Sequence, residues 1–220
     1  MSDNTDIWAV VPMKDTTNSK FRLRDALSKK HRRGLALAML EDVLATLTTC
    51  RSLAGVIVVT ADWEVMGRAG ARGAESITDG AGDGQTGAVA AAARRLARES
   101  KGAMLTIPGD VPLVTPDEVA QIVAAHNRVP DFVIVPAHDE RGSNAILCAP
   151  PDAVPLKFGD DSFLPHLEAA RQAGLEPKIL GLPGLGLDID NPADLAAFLK
   201  VPSNTRARAL LQETTGVSHG

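Results

Sequence analysis

Ile7-Trp8-Ala9-Val10-Val11-Pro12-Met13-Lys14 stands near the start of the chain. Five successive apolar residues with no polar alternation predict a strand, Ile7–Val11, buried on both faces as in a parallel sheet. Pro12 cannot donate to a ladder, so the strand ends there and Lys14 falls in a strand-end loop. The pattern recurs along the chain. Val56–Thr60, Ala74–Thr78, Ala103–Ile107 and Phe132–Pro136 read as strands, Ala145–Cys148 and Ile179–Leu182 as later ones, and Gly186–Asp190 as a short last one. Amphipathic stretches separate them: Arg32–Thr49, Trp63–Ala71, Gly87–Ser100, Pro116–Asn127, Phe163–Ala173 and Pro192–Leu199. Thr115-Pro116-Asp117-Glu118 and Asn191-Pro192 each join a capping residue to a proline at the first helical position. This alternation predicts an α/β three-layer sandwich with a mainly parallel sheet, whose ligands sit outside the carboxyl ends of the strands.

The composition narrows the function. At 220 residues, residues 1–200 suit one domain, with 201–220 as a polar tail expected to fray apart from a short helix at Arg208–Gln212. A net charge of −4 and 3 % aromatics without tyrosine argue against a nucleic-acid surface. The polar, acidic Met1–Asp6 does not read as a signal peptide, and no apolar run approaches the roughly 18 residues of a membrane span. Two cysteines, Cys50 and Cys148, suit a reducing compartment, so a cytoplasmic location is expected.

Chemistry is expected where acids and bases gather at strand ends. In Leu187-Asp188-Ile189-Asp190-Asn191-Pro192, alternation puts Leu187 and Ile189 on one face and the two aspartates, about 7 Å apart, on the other. Burying both carboxylates calls for a cation, and hard oxygen ligands suit Mg²⁺. Alternatively, Asp190 only helps to start the following helix and Asp188 is exposed. Ile107-Pro108-Gly109-Asp110-Val111-Pro112 sets a third acid in a stiffened turn after another strand. A strand-end Asp can equally be structural; with Asp188 and Asp190 it completes a set able to hold one or two divalent ions. Between Lys14 and Arg33 eight Lys/Arg face only Asp15 and Asp25. That loop, carrying Lys14, Lys20 and Arg22 after Pro12, lacks the P-loop pattern but suits a triphosphate. Its other reading is a solvated face.

Two segments could hold an acid substrate. Arg141-Gly142-Ser143-Asn144 is a turn offering a hydroxyl and backbone NH groups, and Phe158-Gly159-Asp160-Asp161-Ser162-Phe163 opens a helix whose free NH groups attract anions. Plain N-capping is the competing role for Ser162. His166 either lines the cleft or packs as an ordinary helical histidine. No Gly-x-Ser-x-Gly elbow, Cys-x-x-Cys pair or zinc-ligand spacing of histidines occurs.

Taken in order, Pro12-Met13-Lys14 with Lys20-Phe21-Arg22-Leu23, Gly109-Asp110-Val111-Pro112-Leu113, Gly142-Ser143-Asn144, Phe158–Phe163 with His166, and Leu187-Asp188-Ile189-Asp190 resemble the guanylyltransferases of deazaflavin coenzyme F-420 biosynthesis, over about residues 7 to 200. The resemblance implies a nucleotide-diphospho-sugar-transferase-like (Rossmann-like) fold. It implies GTP as co-substrate, Mg²⁺ as cofactor held by Asp110, Asp188 and Asp190, and a phosphorylated three-carbon acid (phosphoenolpyruvate, 2-phospho-L-lactate or 3-phosphoglycerate) contacted by Ser143, Gly159 and Ser162. Lys20 joins the three aspartates as catalytic, and Pro12, Lys14, Lys20, Arg22, Gly84 and Thr86 are expected at the nucleotide. The family tends to show Gly-Leu-Asn where this chain has Gly84-Gln85-Thr86, Thr where Ser143 stands, and a small polar residue at Phe21. A downstream transferase of the pathway is the implied partner, and a homodimer is compatible with the sequence. Alternatives are another nucleotidyltransferase of the same fold, for cytidylyl or molybdopterin chemistry, and a non-catalytic nucleotide-binding module.

Overall fold

The computed structural model describes residues 6–216. The polar start Met1–Thr5 and His219 lie outside the described residues. Seven strands form one sheet in the order β3-β2-β1-β4-β6-β5-β7. They are β1 (Ile7–Pro12), β2 (Gly55–Val59), β3 (Glu75–Ile77), β4 (Ala103–Thr106), β5 (Asp131–Pro136), β6 (Ser143–Ala149) and β7 (Lys178–Ile179). All run the same way except β6, which is antiparallel to both β4 and β5. Central strands are apolar throughout because both faces are covered. Ala9 and Val11 of β1 face one side and Val10 the other, and all three are fully buried.

The helices are α1 (Lys29–Leu47), α2 (Trp63–Ala71), α3 (Gly84–Arg98), α4 (Pro116–Ala125), α5 (Phe163–Gln172), the single turn α6 (Pro183–Gly186), α7 (Pro192–Lys200) and α8 (Arg206–Gly216). One core joins Leu40, Val43 and Leu44 of α1 with Val65 of α2 and Val119 and Ile122 of α4 beneath the sheet. A second joins Val89, Ala92 and Leu96 of α3 with Phe163 and Leu167 of α5 on the other face. The three-layer α/β sandwich is therefore present. No described helix is long and apolar enough to cross a membrane.

Two expectations change. Gly186–Asp190 is not a strand: α6 ends at Gly186, and the next residues are irregular, joined to the 110 segment by one backbone bond from Ile189 N to Asp110 O, 3.2 Å. The alternation nevertheless holds, since Leu187 and Ile189 are buried and the aspartates turn to the opposite side. The polar tail is also more ordered than its composition predicts. Asp42 on α1 accepts the first NH groups of α8, from Arg206 at 2.9 Å and Ala207 at 3.0 Å. Ala207 and Leu211 then pack with Leu35, Met39, Phe198, Leu187 and Ile189 in a third core.

That third core backs the two aspartates, so its loss should reach the site through stability. Leu211→Ala is expected to destabilise the fold by about 2–4 kcal/mol, read as a lower urea midpoint at unchanged slope. An unchanged midpoint would mean that the burial of Leu211 contributes nothing to the fold.

Candidate active site

Sheet order decides where a crevice opens. From β1 the chain builds outward to β2 and β3 on one side and then crosses to β4 on the other. The loops leaving β1 and β4 therefore diverge, and a cleft opens between them at the carboxyl ends. Because β6 runs backward, its first residues, Ser143 and Asn144, reach the same rim. The cleft has two compartments. One, about 590 Å³, is lined by Pro12, Lys14, Lys20, Gly84, Gln85 and Asp110 among others. The other, about 640 Å³, is lined by Arg22, Thr86, Ser143, Gly159, Ser162 and Asp188 among others. Lys14, Gly84, Gln85, Pro108, Asp110 and Asp190 border both.

Lys20 sits at the junction. Its ammonium donates to Asp110 Oδ2 at 2.5 Å and Asp190 Oδ1 at 2.7 Å, with only 8 % of the side chain exposed. The backbone at Lys20 is left-handed, φ 52°, which costs a non-glycine residue roughly 1 kcal/mol and turns the amine into the cleft. Burial opposes the charge on Lys20, but the two carboxylates outweigh it and raise its pKa. The loop is anchored from below: Asp62 accepts from Thr16 N at 3.1 Å and Thr16 Oγ1 at 2.6 Å. Against the cost of burial, these donors hold Asp62 below the usual carboxylate range.

Asp188 is the unmatched acid. Its Oδ1 accepts from Asn144 Nδ2 at 3.0 Å, and the same amide donates to the carbonyls of Leu185 and Gly186. Burial, followed by the negative charges of Asp110 and Asp190, pushes its pKa up to about 6. Burial also opposes ionisation of Asp190, yet Lys20, with smaller help from Arg22 and Lys14, keeps it below its ordinary value. The acid-bearing segments are clamped by Glu118, which forms a capping box with Thr115 and accepts from Gly184 N at 2.7 Å. A side chain at Gly184 would strike the Leu113 carbonyl, so glycine is required there.

The structure thus brings Asp110, Asp188, Asp190 and Lys20 to one junction, Pro12, Lys14 and Gly84 to the first compartment, and Ser143, Gly159 and Ser162 to the second. Among the described residues, no group of three or more His, Cys, Asp or Glu is drawn together closely enough to hold a metal ion, and the Lys20 ammonium lies between two of the three acids. Asp190 is not the helix cap; Asn191 caps α7 and Asp194 completes its box. Ser162 occupies the N-cap position of α5 without a capping bond, so its hydroxyl is not spent there. Thr86 lines the cleft, but its hydroxyl is engaged with Phe158, accepting from its NH at 2.9 Å. Arg22 reaches Asp160 at 3.4 Å across the mouth. Sequence reasoning missed Asn144, Glu118 and Asp62 as supports. Asn144 stood inside a motif already singled out, Thr115-Pro116-Asp117-Glu118 read only as a helix start, and nothing marked Asp62.

The fold is shared with solved nucleotide transferases. A crystal structure of a putative nucleotide-diphospho-sugar transferase from Desulfovibrio desulfuricans G20 superimposes with a TM-score of 0.74, 19 % identity and 96 % of each chain covered. Residues 7–217 match the family described as CofC-like guanylyl transferases, and the chain belongs to that family. It is 37 % identical to the phosphoenolpyruvate guanylyltransferase of Rubrobacter xylanophilus, over 86 % of this chain and 92 % of that one. It is 34 % identical to the 3-phospho-D-glycerate guanylyltransferase of Colwellia psychrerythraea, over 84 % and 88 %.

The raised pKa of Asp188 has a consequence for stability. A carboxyl whose folded pKa lies above its unfolded value penalises the folded state once ionised, so the penalty grows as pH rises from about 4 to about 6 and is complete above that. Asp188→Asn should therefore be more stable than wild type by about 1–2 kcal/mol at neutral pH, after allowance for solvent screening, and equal to it below about pH 4. Thermal unfolding across that range checks it. A variant less stable at neutral pH would contradict the charge crowding.

Proposed function

We propose that the chain transfers GMP from GTP to the phosphate of a phosphorylated three-carbon acid, releasing pyrophosphate, in an F-420-type coenzyme pathway whose downstream transferase consumes the product. The observation that carries this reading is the pair of compartments meeting at Asp110 and Asp190, one rimmed by the Lys14–Lys20 loop, the other holding Ser143, Gly159 and Ser162 among charged side chains. Such a junction sets an oxygen of one phosphorylated reactant in line with the α-phosphorus of the other. One bond forms between that oxygen and phosphorus, and the bond from phosphorus to the leaving pyrophosphate breaks.

The attacking phosphate oxygen is already ionised at neutral pH, so no protein base is needed. Lys20 and Lys14, together with the free NH groups at the start of α3, stabilise charge on the triphosphate. Arg22 extends that cationic rim. Gly84, with φ +72°, lets the chain turn into α3 close to the phosphates. Ser143, Gly159 and Ser162 hold the acid, using neutral donors at β6 and the start of α5. Rate then comes from alignment and charge matching.

The donors suit Mg²⁺ in kind, since three carboxylates border the junction and, among the described residues, Asp188 forms no ion pair, although Lys20 holds Asp110 and Asp190 and the three acids are not drawn together around one point. Asp110, Asp188 and Asp190 would hold the ion. When bound, Mg²⁺ would neutralise phosphate charge and make the α-phosphorus more electrophilic. Free Cys50 and Cys148, the latter buried, suit a cytoplasmic setting.

The test combines the purified protein and Mg²⁺ with GTP, CTP or ATP and with phosphoenolpyruvate, 2-phospho-L-lactate or 3-phospho-D-glycerate, and follows pyrophosphate. GTP with one of these acids is expected to give turnover, and Asp110→Asn should lower it by at least about 100-fold. Preference for CTP, or no pyrophosphate with any acid, would refute the reading.

A further inference from the structure

Among the described residues, His166 is the one histidine buried beneath the acid compartment, 1 % exposed, and the transfer chemistry assigns it nothing. Both ring nitrogens are engaged. Nε2 lies 3.0 Å from the backbone nitrogen of Lys157, and Nδ1 lies 2.9 Å from Ser143 Oγ. The Phe158 ring meets the imidazole edge-on, with centroids 4.9 Å apart, and restricts its rotation.

The direction of these bonds follows from one fact. A backbone NH can only donate, so Nε2 must present its lone pair to Lys157. A neutral ring then carries its proton on Nδ1, and that NH donates to Ser143 Oγ. Burial keeps the ring neutral by lowering its pKa to about 4. Ser143 has thereby accepted a bond from behind. Among the described residues no protein acceptor takes its own hydroxyl hydrogen, and the side chain lines the second compartment.

The geometry points to His166 as a positioning residue that fixes Ser143 as a hydrogen-bond donor toward the carboxylate or phosphate of the acid substrate. A serine free to rotate can donate or accept. Held by Nδ1–H, it has one lone pair occupied and its hydrogen directed away from the ring, which favours donation to an anionic acceptor. The same ring ties down Lys157, next to the loop that carries Gly159 and Ser162, while Thr86 Oγ1 holds Phe158 N at 2.9 Å. The imidazole thus bonds Ser143 directly and holds the backbone two residues before Gly159. The inference rests on the acid-binding reading above for its substrate, but not for its hydrogen-bond direction.

Two experiments test it. In long-range ¹H–¹⁵N spectra of the ligand-free wild-type protein at neutral pH, the ring signal absent from the His166→Asn variant should show Nδ1 protonated and Nε2 bare. A ring protonated on Nε2, or on both nitrogens, overturns the inference. In the steady state, His166→Leu should raise KM for the acid about tenfold and leave KM for GTP within about twofold, whereas His166→Asn, whose amide can donate from the Nδ1 position, should stay near wild type. In a Ser143→Ala background, His166→Leu should add less than about twofold. Additive losses, or equal loss of both KM values, overturn the inference. If no acid supports turnover in the wild type, the transfer reading fails, and the spectrum alone decides the tautomer. It also decides if His166→Leu does not fold.

Discussion

Asp110, Asp188 and Asp190 crowd the junction of the cleft beside the buried ammonium of Lys20, and that imbalance governs the region around them. Lys20 matches Asp110 and Asp190 and leaves Asp188 over. Crowded like charges repel, so each must be held by something other than its neighbours. Ile189 N bonds the Asp110 carbonyl, Glu118 ties Gly184 to the start of α4, and Asn144 spreads one amide over Asp188 and two carbonyls. Behind them the buried side chains of Leu187 and Ile189 lock into the core shared with α1, α7 and α8. Apolar burial and backbone bonds offset the electrostatic cost, so the site can remain charged while the fold stays intact.

Topology explains why residues far apart in the chain meet there. The β1 and β4 loops part at the point where strand order reverses, which sets Lys20 against Asp110. A uniformly parallel sheet would have sent the start of β6 to the opposite rim. Its reversal brings Ser143 and Asn144 to the carboxyl-end side, where one faces the acid compartment and the other steadies Asp188.

Much of this was legible in the sequence, for a physical reason. Strand-end acids and bases following buried runs can be read locally, because a parallel sheet gathers its carboxyl ends on one side. Alternation placed Leu187 and Ile189 inward even though no ladder forms there, since burial needs the apolar face whether or not the backbone is paired. The supports were harder to see. Asp62 and Thr16 lie 46 residues apart, Glu118 and Gly184 lie 66 apart, and Ser143 and His166 lie 23 apart. Such pairs leave no periodic trace. Ser162 looked like a cap by residue type, and only its geometry shows the hydroxyl unspent. A short helix was legible at Arg208–Gln212, but the full extent of α8 and its docking were hidden because its polar residues outnumber the few buried ones that dock it.

On the proposed reading, the two compartments differ in the kind of donor they present, and the difference suits opposite demands. A leaving pyrophosphate gains charge as its bond breaks, so fixed cations at Lys14 and Lys20 stabilise it increasingly along the reaction. An attacking phosphate oxygen must keep its electron density, and a full positive charge against it would dull the attack. The acid side presents hydroxyls and backbone NH groups beside the shared Lys14, and its Arg141 is matched by Asp161 at 2.6 Å. Neutral donors hold an anion weakly unless each is aimed. A buried imidazole that favours donation by Ser143 supplies aim without adding charge, which is why a histidine kept neutral suits that place better than a lysine or arginine would.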